Sequence, residues 1–402
     1  LSEADSFESG AALRRCTGLT RDAFGSAYWA REPLLSHHPD GFTDLLSAAD
    51  VDELVSERGL RTPFFRVVQD GTTVGGTTRN AVAGNRQISD LVSPDAVREA
   101  YAGGATLVLN SLHRIHPPLV RFCRRLAADL GHGTQCNAYV TPPGSQGFAP
   151  HHDTHDVFVL QVDGSKRWNV YAPALRLPLS FQPSKGLTVD EPLVPDGTPP
   201  LLSVTLGPGD ALYLPRGYIH AAETNEQRSI HLTVGVLATT AYDVVRDVLE
   251  LIAEDETFRR PLPLGDAGEQ LAAVAGIVAG AAEWLQALPS DAAREAVRPR
   301  VSRRGGPEPL GMLATEDALI AFSKEASVRP REGLNVSVHS DPAGRLLVKL
   351  PDREISLPAY VEAALQALLE RPCRVSELDL PVDDALVLVR RLLREGVVTA
   401  VS

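Results

Sequence analysis

Pro150-His151-His152-Asp153-Thr154-His155-Asp156-Val157-Phe158-Val159-Leu160 places a His-x-Asp pair directly before an apolar, β-branched run. The run predicts a buried strand. In an extended backbone, residues two apart share a face, so His151 and Asp153 can converge on one ion. One imidazole and one carboxylate do not complete a site, and such a pair by itself more often lies on an exposed strand. A third ligand comes from Pro208-Gly209-Asp210-Ala211-Leu212-Tyr213-Leu214-Pro215-Arg216-Gly217-Tyr218-Ile219-His220, which reads as strand, Pro-Arg-Gly turn and strand. His220 lies 67 positions beyond Asp153, a gap that a jelly roll closes because strands distant in sequence lie side by side. Two histidines and one carboxylate leave open positions on a metal, the pattern of non-haem iron(II) oxygenases.

The neighbouring histidines read differently. By alternation His152 faces away from His151, toward a supporting or surface position. His155 shares the parity of 151 and 153, but a rise of about 3.3 Å per residue sets His151 and His155 roughly 13 Å apart, too far to share one ion comfortably. His220 is therefore the preferred third ligand, and His155 is a supporting or substrate-side candidate.

Around the motif, short strands separated by Gly, Pro and Asp are predicted at Gln135–Thr141, Val157–Val162, Arg167–Tyr171, Leu202–Leu206, Ala211–Leu214, Ile219–Thr224 and Ser229–Val236, as in a jelly roll. Upstream, a helix-like segment spans Thr20 to Glu32, a short helix is predicted at Ser93–Ala100 with Ser93 as N-cap and Pro94 first inside, Thr106–Asn110 reads as a strand, and Pro117–Leu130 as an amphipathic helix stopped by Gly131. After Thr239 helical spacing returns in Tyr242–Ile252 and Gln270–Leu288, Arg298 to Gly306 reads as a linker, and the remainder combines helices Pro358–Leu369 and Asp383–Glu395 with strand-like Leu346–Leu350 and Val397–Val401. The expected fold class is α+β: a double-stranded β-helix (cupin) domain with an N-terminal helical extension over 1–240, a helical domain and linker over 241–305, and a winged-helix-like domain over 306–402. From Pro330 to Ser402 nine basic residues face eleven acidic ones, which argues against direct DNA binding and for a protein-contact role.

Composition sets outer limits. At 402 residues with 44% hydrophobic and 22% charged residues, the chain suits a folded protein of two or three domains. Cys16, Cys123, Cys136 and Cys373 form no CxxC pair, which argues against a zinc ribbon or disulfide framework. No apolar run reaches the roughly 20 residues of a membrane span, and the Leu-Ser-Glu-Ala-Asp start lacks signal-peptide character; the expected setting is soluble and cytoplasmic. A net charge of −12 disfavours non-specific nucleic-acid binding and suits a basic partner. Only four residues are lysines, Lys166, Lys185, Lys324 and Lys349, so a lysine near the motif carries more information than usual.

Three strings, in order, resemble the ribosomal oxygenases of the JmjC superfamily: Asn137-Ala138-Tyr139-Val140-Thr141-Pro142-Pro143-Gly144-Ser145-Gln146-Gly147-Phe148-Ala149-Pro150-His151, then Phe158-Val159-Leu160-Gln161-Val162-Asp163-Gly164-Ser165-Lys166-Arg167-Trp168, then Leu214-Pro215-Arg216-Gly217-Tyr218-Ile219-His220. The likeness is strong over about 20–240 and extends beyond only in layout. It implies iron(II) held by His151, Asp153 and His220, with 2-oxoglutarate and O2 as co-reactants and Lys166 on the distal carboxylate of 2-oxoglutarate. Asn137, Tyr139 and Thr233 are implied as pocket residues, with His231 beside them, while Trp168 reads as core. The implied reaction is hydroxylation of an arginine or histidine side chain in a ribosomal protein, and the implied assembly is a homodimer. Other readings stay open: the same chemistry on another peptide such as a natural-product precursor, lysyl demethylation, or a metal-binding cupin with no catalysis.

Overall fold

The computed structural model describes residues 10–182, 193–195, 197–302 and 306–401. Lys185 and residues 303–305 of the expected linker lie outside the described residues. The chain divides into two compact units, Leu1–Ala238 and Thr239–Ser402.

Ten strands of the first unit form one antiparallel sheet: β1 (Leu34–His37), β2 (Phe65–Gln69), β3 (Thr72–Thr73), β4 (Thr106–Leu109), β5 (Gly133–Thr141), β6 (Gln146–His151), β7 (Asp156–Tyr171), β8 (Leu202–Leu206), β9 (Asp210–Leu214) and β10 (Ile219–Leu237). Their order is β1-β9-β7-β10-β5-β4-β2-β3, with β8 added to β7 and β6 to β10. The branching follows from two long strands that each serve two layers. The first half of β7 lies between β9 and the second half of β10, and its second half lies between β8 and the first half of β10. In turn β10 pairs with β6 near its start and with β5 near its end. This is the wound, cupin-type arrangement expected from the spacing of the strands.

Each long strand was expected as two short ones. The residues that suggested a break, Asp163-Gly164 in β7 and the stretch after Thr224 in β10, form a bend and a register shift inside continuous strands. Gly164 has φ +62°, and a Cβ there would sit 1.7 Å from the Arg228 carbonyl oxygen, so this bend requires glycine.

The unbroken apolar run of β7 is explained by burial on both faces. Phe158, Leu160 and Val162 join the main core with Leu13, Phe24, Leu126 and Tyr213. Val157 and Val159 face the other way, into a smaller cluster with Trp168, Val170, Leu212 and Leu214 inside the barrel. Phe24 comes from the helix Arg21–Ala27, shorter than the expected helical segment and capped by the Thr20 side chain. The helix Pro117–Leu130 has the predicted limits, with proline in its first turn and Gly131 left-handed at its end.

The second unit begins with helices Ala241–Leu249, Ala267–Ala287 and Ser290–Ser302. Arg298 to Ser302, expected as linker, thus continues a helix. Two three-stranded sheets and the helices Glu362–Glu370 and Val382–Arg394 follow around a separate core that includes Val328, Val348, Leu365, Leu388 and Leu392. Among the described residues no single helix is long and apolar enough to cross a membrane.

Candidate metal centre

His151 ends β6 and His220 opens β10, and the two are paired across the strands. Asp153 lies past the end of β6, in the segment between β6 and β7, so the pair straddles a strand end rather than lying within one strand. One nitrogen of each imidazole and one Asp153 oxygen all lie within 4.8 Å of one another. His220 Nε2 is 3.8 Å from Asp153 Oδ2.

Both rings are oriented in the same manner. His151 Nδ1 donates to the Ala149 carbonyl at 2.8 Å, and His220 Nδ1 donates to the Tyr218 carbonyl at 3.1 Å. A carbonyl can only accept, so the proton is fixed on Nδ1 and Nε2 offers its lone pair. Burial, and next the adjacent His151, hold His220 well below the usual imidazole range despite the opposing pull of Asp153. His220 is consequently neutral, the form that binds a metal. Two imidazoles and a carboxylate fit iron(II), which would be held on one side with positions left for other ligands.

A cavity adjoins these three side chains, with Val157, Val159 and Ala222 as apolar wall and Tyr139, Lys166, Trp168, His231 and Thr233 as the remainder. Lys166 is 4% exposed, and its Nζ donates to Thr141 Oγ1 at 3.2 Å. Burial lowers its pKa to about 8, which leaves it mostly charged at neutral pH. Tyr139 and His231, partners in the β5–β10 register, stack with ring centres 5.0 Å apart. Burial, then the Lys166 charge, push His231 well down, so it remains neutral beside the lysine. Trp168, expected in the core, is 5% exposed and packed in the barrel cluster, and one face of it also lines the cavity.

The other candidates are placed around this cavity. Asn137 lies next to the wall: its Oδ1 accepts from Ser111 N at 2.9 Å and its side chain hydrogen-bonds the Tyr139 hydroxyl. His152 is buried at 3%, which fits the supporting rather than the surface place of the two expected for it. His155 packs against Gly235, where a Cβ would come within 2.5 Å of its ring, two positions along β10 from Thr233.

The comparisons agree with this geometry. The JmjC domain family matches residues 112–244. Over 255 residues the chain is 32% identical to the bifunctional lysine-specific demethylase and histidyl-hydroxylase NO66 of Drosophila mojavensis, which covers 61% of this chain and 28% of that protein. Ribosomal oxygenase 1 of Homo sapiens is also 32% identical, over 60% of this chain and 37% of its own length. The chain carries a JmjC domain and is similar to ribosomal oxygenases. It spans about a third of the length of these curated relatives. In fold, this JmjC chain resembles Escherichia coli YcfD, a ribosomal oxygenase solved with cobalt and 2-oxoglutarate, at a TM-score of 0.55 and 16% identity over 96% of this chain and 99% of that one.

One group of this JmjC site escaped the sequence reading. Asp156, fully buried, accepts from Tyr213 Oη at 2.8 Å and from Arg216 Nη1 at 2.9 Å. Tyr213 Oη in turn accepts from Ala30 N at 2.9 Å. The available signals were an aspartate heading an apolar strand and an arginine between Pro215 and Gly217 in an otherwise apolar stretch.

Proposed function

We propose that this chain is an iron(II)- and 2-oxoglutarate-dependent oxygenase that hydroxylates an arginine or histidine side chain of a ribosomal protein. The carrying observation is the convergence of His151, Asp153 and His220 at a cavity that also contains a buried lysine. Bound iron(II) and 2-oxoglutarate supply oxygen activation, with 2-oxoglutarate oxidised to succinate and carbon dioxide and one oxygen atom placed in a substrate C–H bond.

This chain's residues provide placement. His151, Asp153 and His220 would hold the metal, the two imidazoles already oriented by backbone carbonyls, so little reorganisation of these rings accompanies binding. Lys166 binds the distal carboxylate of 2-oxoglutarate, a charge that a buried site accepts only when paired. Tyr139 and Thr233 line the same pocket, and Asn137 acts on it through the Tyr139 hydroxyl. The apolar wall of Val157, Val159 and Ala222 excludes water from the reacting centre.

The ribosomal substrate is supported by the named activities of the relatives and by the net charge of −12, which favours encounter with a basic protein. Lysyl demethylation, also in the name of one relative, uses the same chemistry and is the second reading. Intact-mass comparison of ribosomal proteins from wild-type and deletion cells tests the assignment: a gain of one oxygen supports it, and a methyl loss on the same proteins supports the second reading. We place the enzyme in the cytoplasm, a setting consistent with four unpaired thiols. The second unit is proposed to combine a helical dimerisation segment with a winged-helix-like module that contacts protein rather than DNA. No residue of Ala267–Ala287 is fully buried, which supports an apolar surface for a second copy.

A further inference from the structure

The turn between β9 and β10 does more than reverse the chain. Tyr218 N closes it on the Pro215 carbonyl at 3.3 Å, and Gly217 N donates to the Asp153 carbonyl at 3.0 Å. The Tyr218 carbonyl accepts from His220 Nδ1. One four-residue turn therefore holds the backbone of one metal ligand and the ring of another. Gly217 has φ +91°, and a Cβ there would meet the Leu175 carbonyl oxygen at 2.2 Å, so the turn is wedged tightly from the outside.

Arg216 ties this turn to the far end of the metal loop. Its guanidinium is only 11% exposed and pairs with Asp156, whose carboxylate is wholly buried and is also held by Tyr213. The loop from His152 to His155 is thus bracketed at both ends by the same turn, through Gly217 on Asp153 and through Arg216 on Asp156. A buried ion pair is a weak source of stability, since apolar residues of similar shape do as well or better. What it provides is a fixed geometry between two loops whose flanking residues pair, Leu214 with Val157 and His220 with His151, but whose own residues lie outside the strands.

We propose that Arg216, through Asp156, is a positioning residue for the metal: it sets Asp153 and His220 at the separation that one ion requires. This rests on the reading that the triad binds a divalent metal. Its signature is a loss of metal affinity out of proportion to any loss of stability.

Co(II) is the probe, titrated into the metal-free full-length chain, with affinity read by calorimetry, site geometry by the visible absorption of the bound ion, and stability by thermal unfolding without metal. Arg216→Gln is expected to weaken Co(II) binding by about 10–100-fold and to alter the absorption of the bound ion. Arg216→Lys keeps the charge opposite Asp156 but not the planar fork, and an intermediate loss is expected. Leu365→Ala, in the separate core of the second unit, is the control: it should lower the unfolding temperature and leave Co(II) affinity unchanged. Co(II) affinity within twofold of wild type in the arginine variants overturns the proposal, and if Arg216→Gln does not fold, Arg216→Lys alone decides. A weakening of Co(II) binding in Leu365→Ala equal to that in the arginine variants also overturns it. Failure of the wild-type chain to bind Co(II) would instead remove the metal reading itself.

Discussion

Lys166 Nζ donates to Thr141 Oγ1 across 3.2 Å inside the barrel, so the buried lysine is tethered to β5, a strand that β10 separates from β7 in the sheet, and held at a fixed depth in the cavity. Replacing it by methionine removes the cation without opening a void. The Michaelis constant for 2-oxoglutarate is expected to rise by roughly 10–100-fold, the scale of a charge-assisted hydrogen bond, while Co(II) affinity is retained. Equal losses of both would place Lys166 in a structural role.

The same lysine gives a pH dependence. Burial lowers its pKa to about 8 from near 10.5, so the charged form that pairs with a carboxylate predominates below pH 8 and is lost above it. The kcat/KM for 2-oxoglutarate should therefore fall by about tenfold per pH unit above pH 8, a slope set by one proton. Arg, charged throughout, should flatten the profile in Lys166→Arg if that variant binds 2-oxoglutarate. A wild-type profile level to pH 10 would contradict this role.

Asn137 separates contact from support. Its side chain is engaged with Ser111 N and the Tyr139 hydroxyl, so Asn137→Ala is expected to cost about 1 kcal/mol of stability by leaving a part-buried donor unsatisfied. The Michaelis constant for 2-oxoglutarate should change far less than in Lys166→Met. A change as large as that of the lysine variant, with stability intact, would make Asn137 a direct contact.

The barrel was legible because its strands are short, alternate or buried, and are punctuated by Gly, Pro and Asp. The same punctuation misled where Asp163-Gly164 marks a bend within β7 rather than a loop, since a glycine in the left-handed region reads alike in both. The metal ligands were legible as residue types, but the strand end that falls between His151 and Asp153 was not, because strand parity assumes an unbroken strand. Asp156, Arg216 and Tyr213 left no periodic trace: their contacts join residues about 60 positions apart, and only the fold brings them together. Pro33-Leu34-Leu35 reads as the end of a helix and the entry into an extended stretch, and the strand Leu34–His37 lies there; only its pairing with β9 at the sheet edge left no trace.

Gly164→Ala tests the bend. With its Cβ against the Arg228 carbonyl and φ in the left-handed region, alanine is expected to destabilise the first unit by at least roughly 2 kcal/mol, measured by denaturant unfolding. Wild-type stability would mean that β7 and β10 can separate here at no cost.

The helix Ala267–Ala287 exposes Val274 at 43% and Val278 at 62%, residues one turn apart on one face. Sedimentation of the wild-type chain is expected to give a dimer, and the double variant Val274→Asp, Val278→Asp a monomer. A wild-type monomer that persists at all concentrations would remove the dimer.

His151, Asp153 and His220 carry the central claim, and anaerobic addition of iron(II) and 2-oxoglutarate tests it most directly. The wild-type chain is expected to bind one iron and, on adding 2-oxoglutarate, to develop a visible charge-transfer band that His151→Ala lacks. A wild-type chain that binds no iron, or His151→Ala giving the same band and the same 2-oxoglutarate turnover, would contradict it.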